Sequence, residues 1–185
     1  MNHSLPATTY SPVMKGFHWA TVLLLIVQYA LGWTMPDIRR GMQPESLMNL
    51  HMSFGVVIGL LILARAAWRV LTPQPAPDTT LPAWQRKAAA AVHGLLYLLV
   101  LVLVFTGWAY ASQRGWTVTL FGAIPLPALF ETGSPTGHAV GELHEGLVTV
   151  LLLVVGAHVL GALAHLVLWH DGVMQRMLPR VGQGR

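Results

Sequence analysis

A chain of 185 residues in which 54% of the side chains are hydrophobic and only 10% charged lacks the polar cover of an ordinary soluble domain. With no cysteine, it forms no disulfide and holds no thiolate-bound metal cluster. The net charge of +4 and the pI near 10 do not point to nucleic acid, because the basic residues flank apolar runs, as they do beside membrane spans.

Residues 1–14 read as a polar tail broken by Pro6 and Pro12. The first expected span, 16–36, carries no formal charge and includes His18 and Gln28. Its length, its polar residues and the lack of an A-x-A site favour a permanent span over a cleaved signal peptide. After a loop over 37–46, the second span covers 47–69 and is closed by Arg65 and Arg69. The proline-rich stretch 72–82 cannot be helix interior and reads as an extended connector. Arg86 and Lys87 precede a third span over 88–111. Residues 112–137 form the longest connection, and its apolar, proline-containing part is expected to lie along the membrane interface.

The fourth span, 144–169, is uncharged from Gly146 to Trp169. At a rise of 1.5 Å per residue this run is about 36 Å long, enough for a hydrocarbon core of about 30 Å, and the helix is expected to pass the membrane at both ends. Residues 172–185 are a short basic tail. The expected fold is therefore all-α: one integral-membrane four-helix bundle over 15–171. With the N-terminus inside, Lys15, Arg65, Arg69, Arg86, Lys87, Arg176, Arg180 and Arg185 lie on the inner side, and only Arg39, Arg40 and Arg114 on the outer side. That asymmetry predicts a bundle with both termini cytoplasmic.

Within this topology the histidines sort by depth. His144 and His158 are fourteen residues apart on the fourth span, nearly four whole turns, so both rings leave one face about 21 Å apart along the axis. His18 enters near the inner face and is level with His158; His51 enters near the outer face and is level with His144. Each level pair has the makings of two axial imidazoles for one b-type haem, held by coordination and packing alone because no cysteine can attach it. A structural reading, in which each imidazole hydrogen-bonds a neighbouring helix, stands beside this one.

His93 is also near the inner level and competes for that iron. It has no outer counterpart on its own span, and Tyr97 one turn on offers a polar contact, so a structural or propionate-binding role is expected. His3 and His170 are expected to be solvated, and His138 to be a loop residue. His165, seven residues past His158, has two readings: an interfacial hydrogen bond, or proton exchange with a quinone beside Trp169. Arg65 and Arg69, four apart, either pair haem propionates or anchor to lipid phosphates.

The segments FHW at 17–19, NLHMSFG at 49–55, HGLLY at 93–97, LHEGL at 143–147, AHVLGALAHLVLWHD at 157–171 and RMLP at 176–179 resemble the bacterial cytochrome b561 family of four-helix dihaem cytochromes. The chain is also similar to the membrane cytochrome subunits of formate dehydrogenases and nickel–iron hydrogenases. The resemblance implies two haem b groups, on His18/His158 at the inner level and His51/His144 at the outer. One type in the family oxidises superoxide outside and reduces ubiquinone near the inner face of the bacterial inner membrane. By that resemblance superoxide is the donor, the haems are the conduit and ubiquinone is the acceptor, with Arg114-Gly115 matching an Arg-Gly after the third span of that type. Arg39, Arg40 and Arg114 are then the basic residues that steer the superoxide anion, against five acids on the same side: Asp37, Glu45, Glu131, Glu142 and Glu145. The alternatives are a cytochrome b subunit fed by a periplasmic dehydrogenase or small cytochrome, and a non-haem helical scaffold or transporter.

Overall fold

The computed structural model describes residues 9–39, 41–76 and 79–179. Four helices dominate: α1 (Pro12–Thr34), α2 (Ser46–Leu71), α3 (Ala83–Gln113) and α4 (Pro135–Ala164). Each is long and apolar enough to cross a membrane, α4 with the help of a π-helical turn, His165–Trp169, that extends it. The apolar side chains of Leu23, Ile26, Leu160 and Leu168 point outward, an arrangement suited to lipid and not to water. All seven tryptophans lie near one or other end of the bundle, as side chains with an apolar ring and a polar N–H do at bilayer interfaces.

Two of the helices start earlier than hydropathy alone suggests, and for the same local reason. Ser11-Pro12 and Ser134-Pro135 are N-cap and first helical residue: Ser11 Oγ accepts from the Met14 N–H at 3.2 Å, and Ser134 Oγ from the Gly137 N–H at 3.2 Å. His138, expected in a loop, therefore sits in the first turns of α4. There it pairs with Glu142 at 3.2 Å, and both side chains are exposed. α3 also starts early, at Ala83, because Arg86 and Lys87 continue the helix beyond the apolar span.

α1 packs on α2, and α3 on α4. Small residues bring the backbones close, as helix association in lipid favours. A Cβ on Gly141 of α4 would lie 2.6 Å from the Tyr110 ring, and one on Gly59 of α2 would lie 3.1 Å from Val104. Ile58, Ile62, Leu99, Val100, Leu103 and Leu151 form the central core.

The bundle has two distinct ends. At the loop end, the connection after α3 is not merely irregular: β1 (Thr119–Leu120) and β2 (Ile124–Pro125) make a short antiparallel hairpin. Its turn puts Phe121 at φ 49° and Gly122 at φ 73°. Ser53 of α2 fastens it, 2.8 Å from Thr119 O and accepting from the Phe121 N–H at 3.0 Å. At the terminal end, the segment after α4 folds back onto α1. Lys15 Nζ donates to Leu178 O at 2.7 Å, Trp19 Nε1 to Met177 O at 3.1 Å, and the Tyr10 N–H to Arg176 O at 3.4 Å.

Candidate functional site

The helices bring the spaced imidazoles into two groups, one in each half of the bundle. Toward the loop end, the ring centres of His51 (α2) and His144 (α4) are 6.3 Å apart with planes at 82°. Toward the terminal end, those of His18 (α1) and His158 (α4) are 6.2 Å apart with planes at 68°. His93 (α3) joins the second group, its ring centre 5.1 Å from that of His158.

The two pair distances match what a shared metal requires. A metal–imidazole nitrogen bond is about 2 Å, and each ring nitrogen lies just over an ångström from its ring centre, so two imidazoles across one ion stand roughly 6 Å apart.

The loop-end pair borders a cavity of about 870 Å³, within the range of cofactor and ligand pockets, roughly 300–1,000 Å³. Four glycines line it, and three of them stand beside the imidazoles or Gln28. A Cβ on Gly32 would meet His51 Cε1 at 3.6 Å, one on Gly55 would meet Gln28 Nε2 at 3.5 Å, and one on Gly107 would lie 2.9 Å from His144 Cε1. Glycine here keeps the helix backbones bare where a flat macrocycle needs room. The His144 ring is held from behind: Nδ1 lies 3.0 Å from Leu103 O and 3.3 Å from Thr106 Oγ1. The carbonyl can only accept, so the proton is on Nδ1 and the Nε2 lone pair is left for a ligand.

Unsatisfied buried polar atoms gather in the same places. Gln28 Nε2 lies 3.1 Å from His51 Nε2 and donates to His51 O at 3.1 Å, yet Gln28 Oε1 and His51 Nδ1 are buried without a partner. In the terminal-end half, Arg65 Cζ sits 5.4 Å over the Tyr97 ring, while Arg65 Nε and the Tyr97 hydroxyl are buried without a partner. Buried donors without acceptors are costly, and a propionate or another acid would relieve both. The residues present thus fit a b-type haem: paired imidazoles, a bare-walled cavity and orphaned donors.

Other residues singled out in the sequence are placed as follows. Arg65 is half-buried and Arg69 exposed, so the shared helix face does not give them a shared environment. The expected contact between His93 and Tyr97 does not form, because His93 Nδ1 turns back to Ala89 O at 2.7 Å. Arg114 is half-buried at the loop end, its Cζ 4.6 Å from the Tyr110 ring and 5.4 Å from the Trp116 ring, and NH2 donates to Tyr110 Oη at 2.8 Å. Arg39 is exposed and offers its carbonyl to Arg114 NH1 at 3.4 Å. Arg40 and His3 fall outside the described residues.

His165 and Trp169 are in ring contact at 4.7 Å on the π-helical turn. A partner not foreseen is Asp171: its Oδ2 lies 2.5 Å from His165 Nδ1, and its Oδ1 accepts from the Val173 N–H at 3.1 Å. Both side chains are only 15% exposed, so the carboxylate fixes the ring with Nε2 turned away from the pair. His170 is exposed in the left-handed region, φ 51°. Gln28 and the three glycines were also missed as site residues. Their signal is local: Gln28 and His51 are each followed four residues later by a glycine on the same helix face.

A family model described as "Prokaryotic cytochrome b561" matches residues 9–180. The chain is 27% identical over 170 residues to "Cytochrome b561 homolog 2" of Escherichia coli, covering 91% of this chain and 90% of that protein. It is 30% identical over 176 residues to "Probable superoxide oxidase CybB" of Yersinia pestis, covering 92% and 96%. Over 139 residues it is 31% identical to "Cytochrome b562" of Cereibacter sphaeroides, covering 70% and 86%.

Proposed function

This chain belongs to the prokaryotic cytochrome b561 family of bacterial membrane electron-transfer proteins, and on that premise we propose that it is a superoxide:ubiquinone oxidoreductase of the inner membrane. His51 and His144 hold one b-type haem near the periplasmic loop end; His18 and His158 hold a second near the cytoplasmic terminal end. The single observation that carries the dihaem part of this reading is the pair of nearly equal ring separations, 6.3 Å and 6.2 Å, at two depths on one helix, and the choice of superoxide follows the likeness to the Yersinia pestis relative. The orientation rests on the excess of lysine and arginine at the terminal end.

The bound haems supply reversible one-electron chemistry. The protein sets spacing, access and proton supply. Two superoxide anions release two electrons and leave two dioxygen molecules; a quinone takes up those electrons with two protons. The guanidinium of Arg114, held on its two aromatic neighbours beside Arg39, attracts the anion at the loop end. At the terminal end His165 Nε2 faces the quinone oxygen and passes a proton, with Trp169 flanking it. Arg65, with its unpartnered Nε, is placed for a propionate; exposed Arg69 suits lipid phosphate.

A second reading draws on the acids at the cavity mouth. Glu142 and Glu145 line the cavity with His138 and make the loop end mixed in sign, a surface on which a periplasmic electron-donor protein could dock. One experiment separates these readings from each other and from a haem-free scaffold. The purified protein should show two haems by pyridine haemochrome, and superoxide should reduce them with turnover of added quinone. His158→Ala should lose one haem of the two. A colourless protein made with ample haem refutes the proposal, and haems that superoxide leaves oxidised favour the protein donor.

A further inference from the structure

α3 and α4 run antiparallel, and their contacts repeat. Gly107 of α3 faces His144 of α4, where a Cβ would lie 2.9 Å from the ring. Fourteen residues back along α3 stands His93, and fourteen residues on along α4 stands His158, their ring centres 5.1 Å apart at 71°. The position that α3 leaves bare beside the loop-end ring is filled by an imidazole beside the terminal-end ring.

The two α4 imidazoles are also held differently. His144 has Leu103 O at 3.0 Å and Thr106 Oγ1 at 3.3 Å for its Nδ1. The His158 ring has no hydrogen bond among the described residues; its ring neighbours are His18 at 6.2 Å and His93 at 5.1 Å. His93 is itself anchored, with Nδ1 2.7 Å from Ala89 O, so its proton sits on Nδ1 and its Nε2 carries a lone pair. That lone pair lies inside a membrane span, where a polar group needs a partner.

We infer that His93 is the positioning partner of His158: its Nε2 accepts the proton of the His158 ring nitrogen that does not face His18. The inference rests on the reading that His18 and His158 share a haem. Spacing separates it from direct ligation by His93. Two rings joined by an N–H···N bond of about 2.9 Å stand roughly 5 Å apart at their centres, and two rings across an iron roughly 6 Å. The 5.1 Å separation falls at the first value and both ligand pairs fall at the second. The rings here meet edge to face; the His158 ring, which no hydrogen bond restrains, turns about its Cβ–Cγ bond to align. An imidazole nitrogen is a stronger base than a peptide carbonyl. His158 therefore becomes the more electron-rich ligand of the two on α4, which favours oxidised iron at the terminal end.

The test is redox titration of the full-length protein in detergent, with haem content and electron paramagnetic resonance measured on each variant. His93→Leu should keep both haems and raise the midpoint potential of one of them. A tenfold rise in its reduced-to-oxidised ratio at a fixed potential corresponds to about 59 mV for a one-electron couple. The low-spin ferric signal of that haem alone should shift. His93→Gln, whose side-chain oxygen can accept from the same place, should return the potential toward wild type. If both haems keep their potentials in His93→Leu, the inference is wrong while the haem pairing stands. If His93→Leu and His93→Gln each lose a haem that His18→Ala retains, the pairing itself is wrong and His93 is the ligand. Should His93→Leu fail to fold, His93→Gln still decides: a displaced potential with no change in the ferric signal overturns the inference.

Discussion

The loop-end and terminal-end halves share the same four helices and the same fourteen-residue spacing on α4, yet they are furnished in opposite ways. The loop-end half is shaped by removal. Gly32, Gly55 and Gly107 strip the walls of a cavity of about 870 Å³, and two imidazoles face each other beside it. The terminal-end half is shaped by addition. It gathers three imidazoles, the half-buried Arg65 over Tyr97, the His165–Asp171 pair and a returning segment tied to Lys15 and Trp19. A repeated ligand spacing therefore does not make equal sites. On the proposed reading, the loop-end half receives the electron donor and the terminal-end half exchanges protons as well as electrons.

The contrast is most easily broken at Gly107. Gly107→Leu should cost the protein one of the two proposed haems by pyridine haemochrome assay, because the new side chain takes the place of the His144 ring. Gly94→Leu, on the same helix where a Cβ meets nothing within 4 Å, should keep both. Equal haem content in the two variants would mean that the bare wall is not what admits the group.

The next effect sharpens the terminal-end half. His165→Ala should slow quinone reduction about 100-fold, as loss of a proton-transfer group does, and Asp171→Asn about 10-fold through loss of the ring's orientation. Both should retain two haems and their reduction by superoxide. A wild-type quinone rate in His165→Ala would return the pair to a purely structural role. The smallest effect is electrostatic. Arg114→Glu should lower the superoxide-dependent rate several-fold at low ionic strength and much less at high, since screening removes steering beyond roughly 10 Å at 0.1 M salt. An equal loss at every salt concentration would point to local disruption of the Tyr110 and Trp116 contacts instead.

Much of the frame was legible in the sequence, because a bilayer imposes a length and a composition on each span. That His18 would stand by His158, and His51 by His144, followed from alternating helix direction and needed no side-chain geometry. Helix ends were harder to read. Hydropathy marks where lipid begins, whereas Ser11-Pro12 and Ser134-Pro135 mark where the helix begins, and for α4 the two differ by more than two turns. The hairpin at 119–125 was hidden because its strands are two residues each and are held by Ser53 of another helix. The partners of the imidazoles were least legible. The Asp171 contact depends on a π-helical turn that no periodicity announces, and the Ala89 carbonyl that claims His93 belongs to the backbone.

The returning segment at the terminal end carries a consequence for biogenesis. α1 leaves the ribosome with His18 long before α4 delivers His158, and the contacts from Lys15 to Leu178 and from Trp19 to Met177 come later still. Contacts so distant along the chain form slowly, because the intervening loop must close first. His18 therefore waits in the bilayer without its partner through most of translation, and this level of the bundle matures only once the polypeptide has been inserted through its fourth span.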